Sequence, residues 1–285
     1  MLKTSINGIT LFFDAEEQNS AKLIRQACER SVKLIQKNWG LDIPKDCRIY
    51  VMTSWLGFVF QSAPWLWRVL LAITLPLWAM RAQRIWTLAG GWEQRYGQRR
   101  AVGIKPVRLL QLADKSLGDR IFVKETNIDE KIQNITCHEL THAFTSHLRL
   151  PPWLKEGLAM VMVDMLSEKP TVQYETLSAL ENSSDQHSLD GDQKLLLDNE
   201  LAVVYLYARS YWLTRYIEET RPGLLLDLLS QGCPHDELEN RIATAYEKRH
   251  EEFWKEINRA MVSYFRQRGK DVKLVWSGGG PANEA

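Results

Sequence analysis

The sequence predicts an α+β fold, with a small sheet toward the amino terminus and a mostly helical carboxy-terminal half. Two short runs, 8–13 and 48–53, are rich in β-branched and aromatic residues and have the length of strands. Between them Ile24, Ala27, Leu34 and Ile35 recur at helical spacing, and beyond residue 129 helical periodicity dominates. A chain of 285 residues, 45% hydrophobic and 25% charged, can bury an ordinary globular core. Its net charge of +1 argues against bulk electrostatic capture, so no nucleic acid partner is expected.

The first helix is expected over 16–38, stopped by Gly40, with the 48–53 strand following Pro44. From Trp55 to Met80 the chain is almost wholly apolar, and six of the eleven tryptophans fall between 55 and 92. Arg81, Arg84, Arg95, Arg99, Arg100, Lys105 and Arg108 follow, against Glu93 alone. Residues 54–106 therefore read as an apolar and basic insertion, and 55–108 as a surface suited to an anionic membrane. Its uncharged stretch, 69–80, is 12 residues long against the roughly 20 a full span needs. An interfacial or re-entrant anchor, a buried element roofing a cleft, and a true span all remain open.

Residues 118–125 alternate like an edge strand, and a helix is expected from about 129 to 147. Pro151 and Pro152 end it and open another, to about 166. An acidic loop at 181–200 lacks calcium-loop spacing; a helix over 201–220, two more within 223–268 and a Gly-rich flexible tail complete the chain. Cys28, Cys47, Cys137 and Cys233 lack paired spacing and read as reduced thiols, which with no evident secretory signal suggests a cytoplasmic location, peripherally membrane-associated if the anchor holds.

The stretch 136–160 carries the chemistry. His138 and His142, four apart on a helix, present two imidazoles on one face to a single metal ion. Glu139 beside them is placed to take a proton from a metal-activated water. A third ligand is needed, and a helix hairpin at the proline pair can fold Glu156 back over the histidines, leaving a fourth position open for water. Cys137 points about 100° away from His138, and His147 leaves the metal-facing side. His187, His235 and His250 have no metal partner in the pattern.

His-Glu-Leu-Thr-His followed by Trp-Leu-Lys-Glu-Gly-Leu-Ala resembles the gluzincin metallopeptidases, in particular the peptidase MA-like branch. The resemblance implies a zincin-like catalytic head over 1–170, interrupted by the insertion, and a helical subdomain over 171–270 closing the cleft, with 271–285 as the tail. It implies a zinc peptidase acting on a peptide or protein substrate, with Zn2+ held by His138, His142 and Glu156 and Glu139 as general base. A metzincin is excluded, because Thr145 and Leu148 stand where that motif needs Gly and His. Many gluzincins carry an acid four residues after the ligand Glu to orient a histidine; this chain has Met160, with Asp164 as the nearest substitute. In related proteins a phenol stabilises the oxyanion, a role open to Tyr211 or Tyr207 beside a purely structural one. The alternative is a non-catalytic membrane-associated or partner-binding protein that keeps the zincin-like fold.

Overall fold

A computed structural model describes residues 1–110, 118–181, 200–232, 235–248 and 253–276. The architecture is α+β: one five-stranded mixed sheet and, among the described residues, twelve helices. Strands β1 (Leu2–Ile6) and β2 (Ile9–Phe13) form a hairpin around Asn7 and Gly8, both at positive φ (48° and 84°). That is the two-residue turn Asn-Gly favours, and β1 is an element the sequence reading lacked. Helix α1 (Gln18–Trp39) ends at Gly40 as expected, and β3 (Asp46–Val51) pairs parallel to β2.

Helices α2 (Trp55–Ser62) and α3 (Trp65–Leu88) follow, then β4 (Gly91–Tyr96) and β5 (Arg99–Ile104). The sheet order is β1-β2-β3-β5-β4, with β5 parallel to β3 and antiparallel to β4. This corrects the expected insertion. Residues 91–104 belong to the sheet, and only the α2–α3 hairpin stands outside it.

Part of the basic run that suggested a surface is paired or buried, Arg100 and Lys105 being buried and Arg99 half-buried. Arg99 donates to Asp46 (2.9 Å), Arg100 to Ser146, Lys105 lies buried over Trp86, and Arg108 pairs with Glu17 (2.7 Å). Burial alone would raise the Asp46 carboxyl, but Arg48 and Arg99 outweigh it and hold the pKa below the ordinary value.

The rest of the chain is helical: α4 (Val107–Leu110), α5 (Gly118–Ile121), α6 (Ile128–Thr145), α7 (Pro152–Ser167), α8 (Thr176–Glu181), α9 (Glu200–Thr220), α10 (Leu224–Ser230), α11 (His235–Ala245) and α12 (Phe253–Trp276). Residues 118–125 are thus no edge strand. They form the turn α5 and a single bridge between Phe122 and Val172, and the sheet's two edges are β1 and β4. Residues 223–268 hold three helices, not two, and 271–276 continue α12. The expected loop at 182–199 and tail at 277–285 lie outside the described residues.

Period-two alternation sorts the sheet's faces. Ile49, Val51, Val102 and Ile104 join the large core with α1, α6 and α7, while Tyr50, Met52 and Ala101 point oppositely, onto Phe58 and Val59 of α2. The α2–α3 hairpin therefore backs the sheet on the face away from α6 and does not roof a cleft there. Among the described residues no helix is long and apolar enough to cross a membrane.

Helices α7 and α9 approach most closely at Gly157, where a Cβ would collide with the backbone carbonyl of Ser210 and lie 2.8 Å from Cβ of Thr214. Alanine in place of a helical glycine gains about 1 kcal/mol of propensity, whereas forcing a methyl against backbone costs about 1–3 kcal/mol or more. The collision wins. Gly157→Ala is expected to lower unfolding stability by about 1–2 kcal/mol, seen as a lower urea midpoint with unchanged slope.

Candidate metal centre

Helix α6 starts where Asn127 caps it, its side-chain oxygen accepting from the backbone N–H groups of Asp129 (3.0 Å) and Glu130 (3.4 Å). Its buried face, with Ile132, Leu140 and Phe144, packs on α1 and α7. That packing fixes the rotation of the helix, so His138 and His142 emerge together on the opposite, half-buried side. Their Nε2 atoms are 3.1 Å apart, with the rings nearly perpendicular at 86°. The intervening loop turns at Pro151, and Pro152 occupies the first position of α7.

Glu156, one turn into α7, faces both rings. Its Oε2 is 3.5 Å from Nε2 of His138 and its Oε1 is 3.5 Å from Nε2 of His142. Ligands about 2.0–2.1 Å from a tetrahedral ion lie about 3.3–3.5 Å from one another, so the three side chains span a triangle of the right size. All their donor atoms fall within 4.8 Å. Among the described residues the buried Oε2 of Glu156 has no well-formed hydrogen bond, which is what a ligand atom reserved for a cation would show. Two imidazoles and a carboxylate fit a divalent transition ion, and the donor types suit zinc among others.

The electrostatics agree with that fit. Burial would raise the Glu156 carboxyl, but His142 and His138 outweigh it and hold the pKa far below the ordinary range. Burial would lower His142, and the facing Glu156, with Glu93 behind it, raises it instead. Glu139 is pushed up to about 7, chiefly by burial, with Glu156 and Glu93 adding to the shift and His138 opposing it.

Glu139 is held by the edge strand. A Cβ at Gly91 would fall 2.9 Å from Cδ of Glu139 and closer still to Cγ, so only glycine lets β4 pass this carboxylate. Two residues on and on the same face, Glu93 feels His142, and burial raises its pKa against His142, Arg100, Lys155 and Arg95. Its Oε1 is buried without a hydrogen bond among the described residues. Sequence reasoning missed both Gly91 and Glu93, because residues 54–106 read as outside the head. The available signal was the glycine pair Gly90-Gly91 leading into Trp92-Glu93-Gln94-Arg95-Tyr96, with aromatic residues four apart on one face.

The two tyrosines separate. Tyr207 lies beside Glu156: the charge of Glu156 first, then burial and Glu139, raise its pKa well above the ordinary phenol value. Tyr211 is fully buried and donates to Oδ2 of Asp164 (2.7 Å), with Arg215 against both. Tyr211 is therefore held by Asp164 and Arg215. Asp164, expected to orient a histidine, instead accepts from Tyr211, from Arg215 (3.2 Å) and from the backbone of Thr171 (2.6 Å). Met160 is buried in the core.

Cys137 is fully buried on the α1 side, its thiol pushed up to about 12 by burial, and His147 is exposed. Cys28, also a buried free thiol, is likewise pushed up to about 12 by burial, as a packed reduced cysteine should be. His187, His250 and Cys233 lie outside the described residues, as does the side chain of His235.

No protein-family model matches the chain, and no curated protein sequence matches it significantly. The candidate site thus stands on its own geometry.

Metal binding should compete with protons. Because His142 titrates above its ordinary 6.5, its proton must be displaced at higher pH than a free imidazole would require. The apparent affinity for zinc is expected to fall as pH drops through that raised value, by up to about tenfold per pH unit. Chelator-competition titrations of the metal-free protein at stepped pH would measure the slope.

Proposed function

We propose that this chain is a zinc-dependent peptidase that hydrolyses peptide bonds, with His138, His142 and Glu156 holding the metal. The observation that carries the reading is the half-buried triangle of three donor atoms, with the raised carboxyl of Glu139 next to His138. When bound, zinc would supply a Lewis acid and a water acidified toward neutrality.

The chain's own residues do the rest. Glu139 accepts the water's proton on its carboxylate and later returns it to the leaving amine nitrogen as the C–N bond breaks. Its raised pKa suits a group that must both take and give a proton near neutral pH. Tyr207, kept protonated by the nearby carboxylates, donates its phenolic hydrogen to the oxygen that becomes negative. The outer edge of β4 offers main-chain hydrogen bonds to an extended peptide, which would lay a carbonyl beside Glu139.

Glu139→Gln tests the reading directly: stoichiometric zinc should be retained while turnover of a peptide substrate falls about 10²–10⁴-fold. Full activity in that variant would end the proposal. The phenols should divide in the same assay. Tyr207→Phe is expected to lower kcat about 10²-fold with KM little changed, whereas Tyr211→Phe should lower the melting temperature and leave kcat nearly intact.

A further inference from the structure

Helix α3 is apolar all round, yet only one of its sides is covered. Leu71, Trp78 and Trp86 pack on the back of the sheet with Phe58 and Tyr96. On the outer side Trp65, Leu66, Val69, Leu70, Ile73 and Leu77 form a continuous stripe, with Ile73 73% and Leu77 86% exposed. Eight of the twelve large exposed hydrophobic residues among the described residues belong to the α2–α3 hairpin. So dense a patch marks a binding surface.

We infer that this stripe is a docking face for the interfacial layer of a phospholipid membrane, with α3 lying in the plane of the surface. Three features favour lipid over a protein partner. Between Val69 and Ala79 the only polar side chain is Thr74, and its hydroxyl is turned to its own helix, donating to Leu70 O (2.9 Å) and accepting from Nε1 of Trp78 (3.0 Å). The stripe therefore offers almost nothing for the rim of hydrogen bonds that a protein interface carries. In the sequence positive charge brackets the uncharged run, with Arg68 before it and Arg81 and Arg84 after it; Arg68 donates to the carbonyls of Ala63 (2.9 Å) and Gln61 (3.2 Å) yet stays exposed, and basic residues so placed favour an anionic lipid surface. Trp65 and Trp67 stand at the Arg68 end, where aromatic rings settle at headgroup depth.

Length fixes the orientation. Twelve uncharged residues make about 18 Å of helix, well short of the roughly 30 Å hydrocarbon core, so the helix lies along the interface and does not cross. The stripe is also on the sheet face opposite α6. Docking would leave the metal centre and the β4 edge free, and the inference does not depend on the peptidase reading.

Flotation of the full-length protein with vesicles tests it. Using phosphatidylcholine alone and phosphatidylcholine mixed with phosphatidylglycerol, the protein should float with both and more strongly with the anionic mixture. Ile73→Glu combined with Leu77→Glu should reduce the bound fraction at least tenfold, with unchanged circular dichroism and zinc stoichiometry. Ile73→Ser with Leu77→Ser gives a milder, uncharged check and should also weaken binding. Val123→Glu, at an exposed apolar position elsewhere, should leave it unchanged. Failure of the native protein to float with either vesicle would overturn the inference. So would a dimer in solution that the Ile73→Glu, Leu77→Glu variant converts to monomer, since a second copy would then be what covers the stripe.

Discussion

The meeting of α6 and α7 across the Pro151–Pro152 turn is the contact on which the remainder of the site depends. Two imidazole nitrogens 3.1 Å apart can share one hydrogen, one ring donating to the other, but a half-buried carboxylate is costly without positive charge. Each makes the other tolerable: Glu156 raises the proton affinity of His142, and the histidines keep Glu156 ionised. The helices are brought to that register by apolar packing, with Leu140 and Phe144 on one side and Leu154 and Leu158 on the other, all fully buried. Polar geometry is thus set by hydrophobic contacts that never touch the site.

The sheet contributes through its edge. Strand β4 runs past α6 so closely that Gly91 has no room for a side chain, which confines Glu139 from the strand side. The same strand turns Glu93 toward His142 and sends Trp92 to the other face, onto Trp55. Period-two alternation in six residues therefore serves two purposes: acidic and glycine positions shape the site, and aromatic positions anchor the α2–α3 hairpin. The hairpin can present its apolar outer side because its inner side is held by Tyr50, Met52 and Tyr96.

Much of this was legible in the sequence, and the reasons differ by element. His138, His142 and Glu156 could be grouped because helical periodicity and a proline pair are local signals. So could α1, β3, α7 and α9, whose apolar spacing is strong. Strand β1 was missed although Asn7-Gly8 is a turn signature, since Leu2–Ile6 is largely exposed and carries little alternation. Strands β4 and β5 were taken for part of an insertion because their arginines look like a basic surface; that Asp46 and Ser146 lie opposite is decided by pairing far apart in the chain. The split between Tyr207 and Tyr211 was likewise beyond reach. Both sit on one face of α9, and only the position of Asp164 and Arg215 across from Tyr211 takes it away.

The near-touching of α7 and α9 at Gly157 bears on how the cleft can move. With Ser210 and Thr214 seated against that glycine, the helix carrying Glu156 and the helix carrying Tyr207 must shift as one plank. Hinge motion that parted them would have to strip a seam of buried side chains into water. Any relative movement around Glu139 therefore falls to the strand side, where β4 ends the sheet.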